Sequence, residues 1–541
     1  MAVFAIIALG ILFYAPFMLL WKLRQISRSP LNAIPGPPST SLIKGHIGEF
    51  FGPNSEKFRK DIMEKYGRVV KFRGLFNVPQ LYVFDAAALH TILIKEHHIF
   101  EEPDTHLVGN GLMFGPGLVA VTGERHKRQR KLLNPAFSPA QLRQTLPTMY
   151  QVTYQLRDAI ASRLGDGWSE VDMLTWISRA SLELIGQAGL GCSLDSLKDD
   201  KTSAYGEALK SLIPALVPVA LGRRLLPRLV KIGSPQFWRR IVELVPFQSV
   251  RKLRDIIDMM DRTARRIVAE RKEALHCGED TIMQQIGEGK DILSRLLRVN
   301  EESSEGETIS DEEIVGQVST LVFAATDTTS SAVSRMLHLL AQHKDVQERL
   351  REEIVEARRE HGDLSFDDLF ELPYLEAVCR ETLRLYAPVS FLSKTARQDT
   401  ILPLQTPLRG VRGQDIHEVL VPKGTNVMVG IAAVNRDKAL WGEDALEWKP
   451  DRWLSPLPES VAQAHIPGVY SNMMTFLGGG RACIGFKFSQ CEMKVLLSVL
   501  LETFSFELSD TPIHWNLQSV QYPYAGPGEK ARMPMKVKRI S

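Results

Sequence analysis

Cysteine is scarce, and its spacing shows no pattern. The 541-residue chain has five, Cys192, Cys277, Cys379, Cys483 and Cys491, an odd number and widely scattered. No C-x-x-C spacing and no dense framework occur, which excludes a structural zinc module and a disulfide-stapled scaffold. The body of the protein is therefore expected in a reducing compartment. An excess of one charge is equally lacking. Lys and Arg number 66 against 63 Asp and Glu, a formal +3, and so small a surplus gives no reason to expect nucleic acid as a partner. Internal repeats and long low-complexity tracts are absent too. With 44% hydrophobic and 24% charged residues, the balance is that of a globular protein with a large core, not of a disordered, collagen-like or multi-span membrane chain. Length alone, at roughly 100–200 residues per domain, would suggest three or four domains.

One uncharged stretch stands apart. Ala2–Trp21 reads AVFAIIALGILFYAPFMLLW, and at about 1.5 Å per residue such a helix spans a hydrocarbon core of about 30 Å. Lys22, Arg24 and Arg28 follow it and nothing basic precedes it, so the positive-inside rule puts the N-terminus in the lumen and the body in the cytosol. A cleaved signal peptide would need a basic start, a shorter apolar core and a small-residue end, and none is present. The expectation is a transmembrane anchor over 1–21, a basic and Pro/Gly-rich linker over 22–38 that includes Ile34-Pro35-Gly36-Pro37-Pro38, and a catalytic body over 39–541. The whole would be a single-pass endoplasmic reticulum membrane protein with its catalytic domain in the cytosol.

Apolar residues recur at helical spacing over 56–66, 140–165, 170–190, 250–275, 310–342, 344–360, 374–387 and 485–503. Strand-like runs are fewer: Val69–Arg73, Gln80–Phe84, Val419–Val421 and Val427–Ile431. The fold class is mainly α with a small β-rich lobe. Leu107–Val121, apolar and broken by Gly109, Gly111, Gly115 and Gly117, reads as a greasy loop suited to a substrate lid. Ser211–Phe247 mixes apolar runs with arginines and fits either a core helix or a membrane-dipping segment.

The chemistry concentrates around one cysteine. Phe476-Leu477-Gly478-Gly479-Gly480-Arg481-Ala482-Cys483-Ile484-Gly485 precedes an apolar helical run from Phe486 to Leu501. A cysteine just before a helix N-terminus meets free N–H groups and the positive end of the dipole, which favour a thiolate. The glycines let the backbone approach something flat or bulky. A lone thiolate with Arg481 two residues before it fits a haem iron, the guanidinium pairing with a propionate and Phe476 shielding the sulfur. The plainer account is a small buried cysteine in a glycine-rich turn.

The complete F-x-x-G-x-R-x-C-x-G pattern, with Phe476, Gly479, Arg481, Cys483 and Gly485, resembles the haem-binding signature of the haem-thiolate monooxygenases, the cytochrome P450 family. Other motifs of that family follow. Glu381-Thr382-Leu383-Arg384 resembles its E-x-x-R, a pair that shares one helix face, although any surface helix produces such pairs. Lys449-Pro450-Asp451-Arg452-Trp453 is similar to the segment whose arginine, here Arg452, completes a buried network. Ala324-Ala325-Thr326-Asp327-Thr328-Thr329 resembles the oxygen-activating motif, with Ala325 where glycine is common. The resemblance implies a local helix distortion there, Thr328 bonding dioxygen or water and Asp327 supplying protons. His126 and Arg130 resemble the W-x-x-x-R pair with histidine for tryptophan, and imply donors to a propionate; a solvated basic face is the plainer account. Lys394 stands where relatives often carry a propionate-binding arginine.

The resemblance covers nearly the whole chain after the anchor, so it implies one large, mainly helical domain rather than several. It implies haem b ligated through Cys483, and a monooxygenase oxidising a lipophilic small molecule with O₂ and NADPH electrons from a separate diflavin reductase, alone or with cytochrome b5. GERHKRQRKLLNPAFS (123–138) and EWKPDRWL (447–454) resemble filamentous-fungal, especially basidiomycete, members, which points to terpenoids, steroids or other secondary metabolites. Candidate pocket residues are Leu112, Met113, Phe114, Leu118, Val119, Phe323, Val389, Phe391, Leu392 and Tyr522 to Tyr524. The alternatives are an O₂-independent haem-thiolate isomerase or dehydratase, against which Asp327-Thr328 argues, and a non-catalytic haem sensor.

Overall fold

The computed structural model describes residues 23–52, 55–199, 201–278, 286–304, 306–517, 520–526 and 530–540. At its centre runs the helix Asp311–Gln342, started by a reciprocal cap: Ser310 Oγ accepts from the Glu313 N–H at 3.3 Å, and Glu313 Oε2 accepts from the Ser310 N–H at 2.9 Å. Asp311, Glu312 and Glu313 set negative charge against the positive helix end. The helix is buried on most of its circumference, as a helix with neighbours on every side must be. Around it pack Met173–Leu184, Gln248–His276, Pro373–Leu385 and the helix after the cysteine, Phe486–Thr503, and Pro139–Ala161 lies against the first and last of these.

The β structure is small and assembled from distant segments. The largest sheet has the order Val69–Arg73, Pro79–Val83, Asn426–Val429, Leu392–Ala396, Phe100–Glu101. Its one parallel pair, Leu81 opposite Val427 to Val83 opposite Val429, joins segments from the two halves of the chain. A three-stranded sheet joins Ser169–Asp172, Pro534–Arg539 and Phe504–Leu508, and two hairpins stand beside these. The short run expected at Val419–Val421 is the end of a longer strand, Asp415–Val421, paired with Thr400–Arg409. That hairpin alternates weakly in burial, so a period-two pattern is hard to read from its residues.

Several expectations are corrected. Leu107–Val121 is not a single loop: Asp104–Phe114 is helical and ends at Gly115, whose φ of 79° lies in the left-handed region. The distortion expected near Asp327 is absent, because Asp311–Gln342 runs as one continuous α-helix. Thr326 and Thr328 instead donate back to the carbonyls of Val322 and Ala324, each at 2.8 Å. Past Leu216 the Ser211–Phe247 stretch is not core, since Val217, Leu221, Leu225, Ile232, Leu244 and Phe247 are exposed. The anchor expected over Ala2–Trp21 lies outside the described residues. Among the described residues no helix is long and apolar enough to cross a membrane, so the single-pass endoplasmic reticulum placement is withdrawn.

One core group carries a stability signature. Glu492, on Phe486–Thr503, is fully buried and neither carboxyl oxygen has a hydrogen-bond partner. Burial pushes its carboxyl up to about 8 from 4.5, and the nearby Ser181 hydroxyl, too poorly placed for a hydrogen bond, opposes this without prevailing. The folded value exceeds the unfolded one, so this contribution is complete below about pH 4.5 and is lost as pH rises through about 8. Glu492→Gln should therefore stabilise the protein by on the order of a few kcal/mol at pH 8 and not at pH 4.5. Thermal midpoints of both proteins across that range check it; a constant difference would refute it.

Candidate active site

The cysteine loop owes its shape to two glycines. At Gly479 φ is 71°, and a Cβ there would lie 2.1 Å from the Leu93 carbonyl oxygen. At Gly478 the added carbon would lie 1.4 Å from that of Pro467. The 3₁₀ turn Gly479–Arg481 follows, and the Cys483 N–H returns to the Phe476 carbonyl at 2.9 Å. Gly485 is the N-cap of the next helix. A Cβ on it would meet only Phe137, at 3.7 Å, so protein packing alone does not demand glycine there.

Cys483 is accessible although protein surrounds it on all sides, because it faces an internal cavity. That cavity holds about 660 Å³ of atom-free space, some of it open to solvent. Thr328 lines it from the central helix, and Phe476, Arg481 and Cys483 line it from the loop. Val389, Leu392 and Ile431 make it greasy. Burial raises the Cys483 thiol above its ordinary value; the Gly485 N–H and Arg130 pull the other way without prevailing. The helix terminus therefore does not by itself produce the thiolate expected from sequence. A bound metal ion would, because a coordinating thiol is deprotonated outright.

Asp327 and Thr328 are adjacent but serve different surroundings. Thr328 faces the cavity; Asp327 is buried beside the Tyr522 hydroxyl. Burial pushes the Asp327 carboxyl up to about 6, while Tyr522 and Lys210 oppose the shift. An acid with that value is suited to exchanging protons near neutral pH. Phe114 stacks on Phe323 with centroids 4.8 Å apart. Of the expected pocket residues, Val389 and Leu392 line this cavity, whereas Leu112 is exposed and Phe391 packs against Phe50 and Phe51.

The polar edge is populated differently from expectation. Arg130 donates to the Ala482 carbonyl at 2.7 Å. His126 is buried, and burial together with Arg481 and Arg130 lowers its imidazole to about 4, which keeps it neutral. Arg481 donates to the carbonyls of Leu118 and Val121, at 3.2 and 2.7 Å, and approaches Glu102 Oε2 at 3.3 Å. Lys394 Nζ lies 2.7 Å from Glu102 Oε1. Sequence reasoning missed Glu102: it belongs to no motif, and only the pairing of its strand with Leu392–Ala396 brings it here.

A buried charge network supports the loop. Arg384 grips Glu381 through two bonds, 2.8 and 2.7 Å, with both side chains fully buried. Arg452 Nε lies 3.3 Å from Glu381 Oε1, and the Trp453 indole N–H donates to Oε2 at 3.0 Å. Arg384 also donates to the carbonyl of Asn435 at 2.9 Å. The Asn435 side chain in turn accepts from the Met474 N–H at 2.8 Å and donates to Thr475 Oγ1 at 2.9 Å. The network thus runs from the Glu381 helix into the residues just ahead of Phe476.

Among the described residues no group of three or more His, Cys, Asp or Glu could hold a metal ion. A lone accessible sulfur, a facing helix with a hydroxyl, and cations at one edge fit a planar cofactor that brings its own donors. Comparison with known proteins agrees. The cytochrome P450 family model matches residues 35–521. Cytochrome P450 monooxygenase 91 of Postia placenta is 50% identical over 96% of this chain and 97% of the relative. Ganoderic acid synthetase of Ganoderma lucidum is 44% identical over 96% of each. A cytochrome P450 of Hericium erinaceus is 39% identical over 95% of each. The chain belongs to the cytochrome P450 family: it is a monooxygenase, mainly helical with small sheets, and its cofactor is haem held through a cysteine thiolate.

Removing Glu381 leaves Arg384 buried without its carboxylate. Glu381→Ala should cost about 3–5 kcal/mol, read as a lower urea midpoint, with less haem in the purified protein. An unchanged midpoint would show that neighbouring carbonyls alone suffice for Arg384.

Proposed function

We propose that the protein inserts one oxygen atom from O₂ into a lipophilic small molecule, a terpenoid, steroid or related secondary metabolite. Electrons come from NADPH through a separate diflavin reductase. The observation that carries this reading is one cavity that takes Cys483 on one wall and Thr328 on the other, between apolar side chains. The greasy lining supports a lipophilic substrate, and the relative named ganoderic acid synthetase points the same way.

In this reading Cys483 would hold the haem iron through its thiolate, and haem would supply oxygen activation when bound. Phe476 packs beside the sulfur, and Gly479 and Gly485 keep the loop close. His126, Arg130, Lys394 and Arg481 face the cofactor's carboxylates. A guanidinium has five donors, so Arg130 and Arg481 keep capacity beyond the backbone carbonyls they already bond. Glu381, Arg384 and Arg452 brace the loop. Thr328 Oγ1 holds water or oxygen in the cavity, and the Asp327 carboxyl refills the proton that Thr328 passes on. The apolar walls around Thr328 offer water few partners, which favours proton delivery by this pair.

Two measurements test the assignment. Cys483→Ala should abolish the red-shifted Soret band of the thiolate-ligated ferrous carbonyl complex, whereas a substitution at the exposed Cys277 should leave it intact. A normal band in Cys483→Ala would end this reading. Thr328→Ala should keep haem content and substrate binding but form less product per NADPH, with hydrogen peroxide making up the difference. Asp327→Asn should slow turnover towards the lower end of the roughly 10²–10⁴-fold that a positioned acid contributes, because water partly replaces it. Wild-type rate and coupling in both would make the pair structural. NADPH and O₂ consumption with added reductase separates a monooxygenase from an isomerase or a sensor.

A further inference from the structure

Glu102 stands where the strand Phe100–Glu101 leaves the sheet. Phe100 is opposite Ala396 and Glu101 opposite Thr395, so one more step of the antiparallel register sets Glu102 beside Lys394. Its two oxygens divide between two cations: Oε1 takes Lys394 Nζ at 2.7 Å, and Oε2 takes Arg481 Nη2 at 3.3 Å. Lys394 is 3% exposed, and a lysine so buried needs a counter-charge. Arg397 fixes the segment by donating to the Glu102 carbonyl at 2.7 Å and pairing with Asp104 at 2.7 Å. Burial alone would raise the Glu102 carboxyl, but Lys394 and Arg481 hold it below its ordinary value, so it is a fixed negative charge.

We propose that Glu102 is a positioning residue of the haem site: its carboxylate holds Lys394 and Arg481 together at the cofactor's carboxylate edge and supplies a permanent negative charge that lowers the haem reduction potential. This rests on the reading of Cys483, Lys394 and Arg481 given above. A negative charge held at the cofactor's edge disfavours the added electron, and removing it would leave Lys394 and Arg481 as uncompensated positive charge there. The same carboxylate shares its two cations with the propionates, so it also fixes where the cations sit.

Two variants separate charge from bridging. Glu102→Gln keeps size and an acceptor oxygen but removes the charge. The midpoint potential of its haem-loaded form, by redox titration, should move positive of the parent. Glu102→Asp keeps the charge but is one methylene too short to reach both partners. Its potential should stay near the parent while haem transfer to an acceptor apoprotein speeds up several-fold. An unshifted potential in Glu102→Gln, or an equal shift in both variants, overturns the proposal. If Glu102→Gln fails to fold, an unchanged haem-release rate in Glu102→Asp overturns the bridging. A parent protein without the thiolate spectrum fails the site reading itself, which is a distinct result from normal spectra with unmoved potentials.

Discussion

The fixed position of a single sulfur organises this molecule. Cys483 opens into the cavity from a loop that cannot relax: Gly478 and Gly479 are pressed against the carbonyls of Pro467 and Leu93, and the Cys483 N–H is tied back to Phe476. The loop has no regular ladder of its own, so its position is borrowed. Asn435 holds Met474 and Thr475 just ahead of it, and Asn435 is itself held through Arg384 and Glu381. The buried helix that begins at Phe486 anchors the far end. A loop held only at its ends would leave the sulfur free to drift by more than a metal bond tolerates.

Buried charge is handled in two ways within one core. Glu381 is met by two arginines, an indole N–H and a backbone N–H, and its ion pair survives the loss of water because nearly every lone pair has a donor. Glu492 and Asp327 lack such company, and burial instead moves their carboxyls towards neutrality, to about 8 and about 6. The first arrangement gives rigidity behind the loop. The second gives an acid that can change protonation near neutral pH, and Asp327 is the one next in sequence to Thr328 of the cavity wall.

Legibility in the sequence followed the range of the interactions. The helices 310–342, 344–360, 374–387 and 485–503 were readable because their apolar spacing is local and long, and the structure places them at Asp311–Gln342, Lys344–His361, Pro373–Leu385 and Phe486–Thr503. The strand runs 69–73, 80–84 and 427–431 were readable too, but their pairing was not, because Val83 pairs with Val429 and Phe100 with Ala396, partners that no window of sequence contains. The motif residues could be named through the family resemblance, and Glu381, Arg384 and Arg452 lie together as it implied, but the present partners of Arg130, Lys394 and Arg481 could not. Arg481 faces Glu102 and Arg130 faces the Ala482 carbonyl because side-chain charge is satisfied by whatever the fold brings near. Phe391 shows the same limit: an aromatic between apolar residues reads as pocket lining, yet it fills the cluster of Phe50 and Phe51.

The separation of Asp327 from Thr328 follows from helix geometry. Consecutive residues point about 100° apart, and in this unbroken helix that turn takes Asp327 away from the cavity that Thr328 lines. In a helix opened at this point, backbone and water could occupy the gap between them; here Thr328 closes its own bond to Ala324 and the helix stays regular. The carboxyl is therefore stored in protein, beside Tyr522, and the hydroxyl alone meets the cavity. If the pair delivers protons, each transfer requires either a rotation of the Asp327 side chain or a water that bridges around the helix.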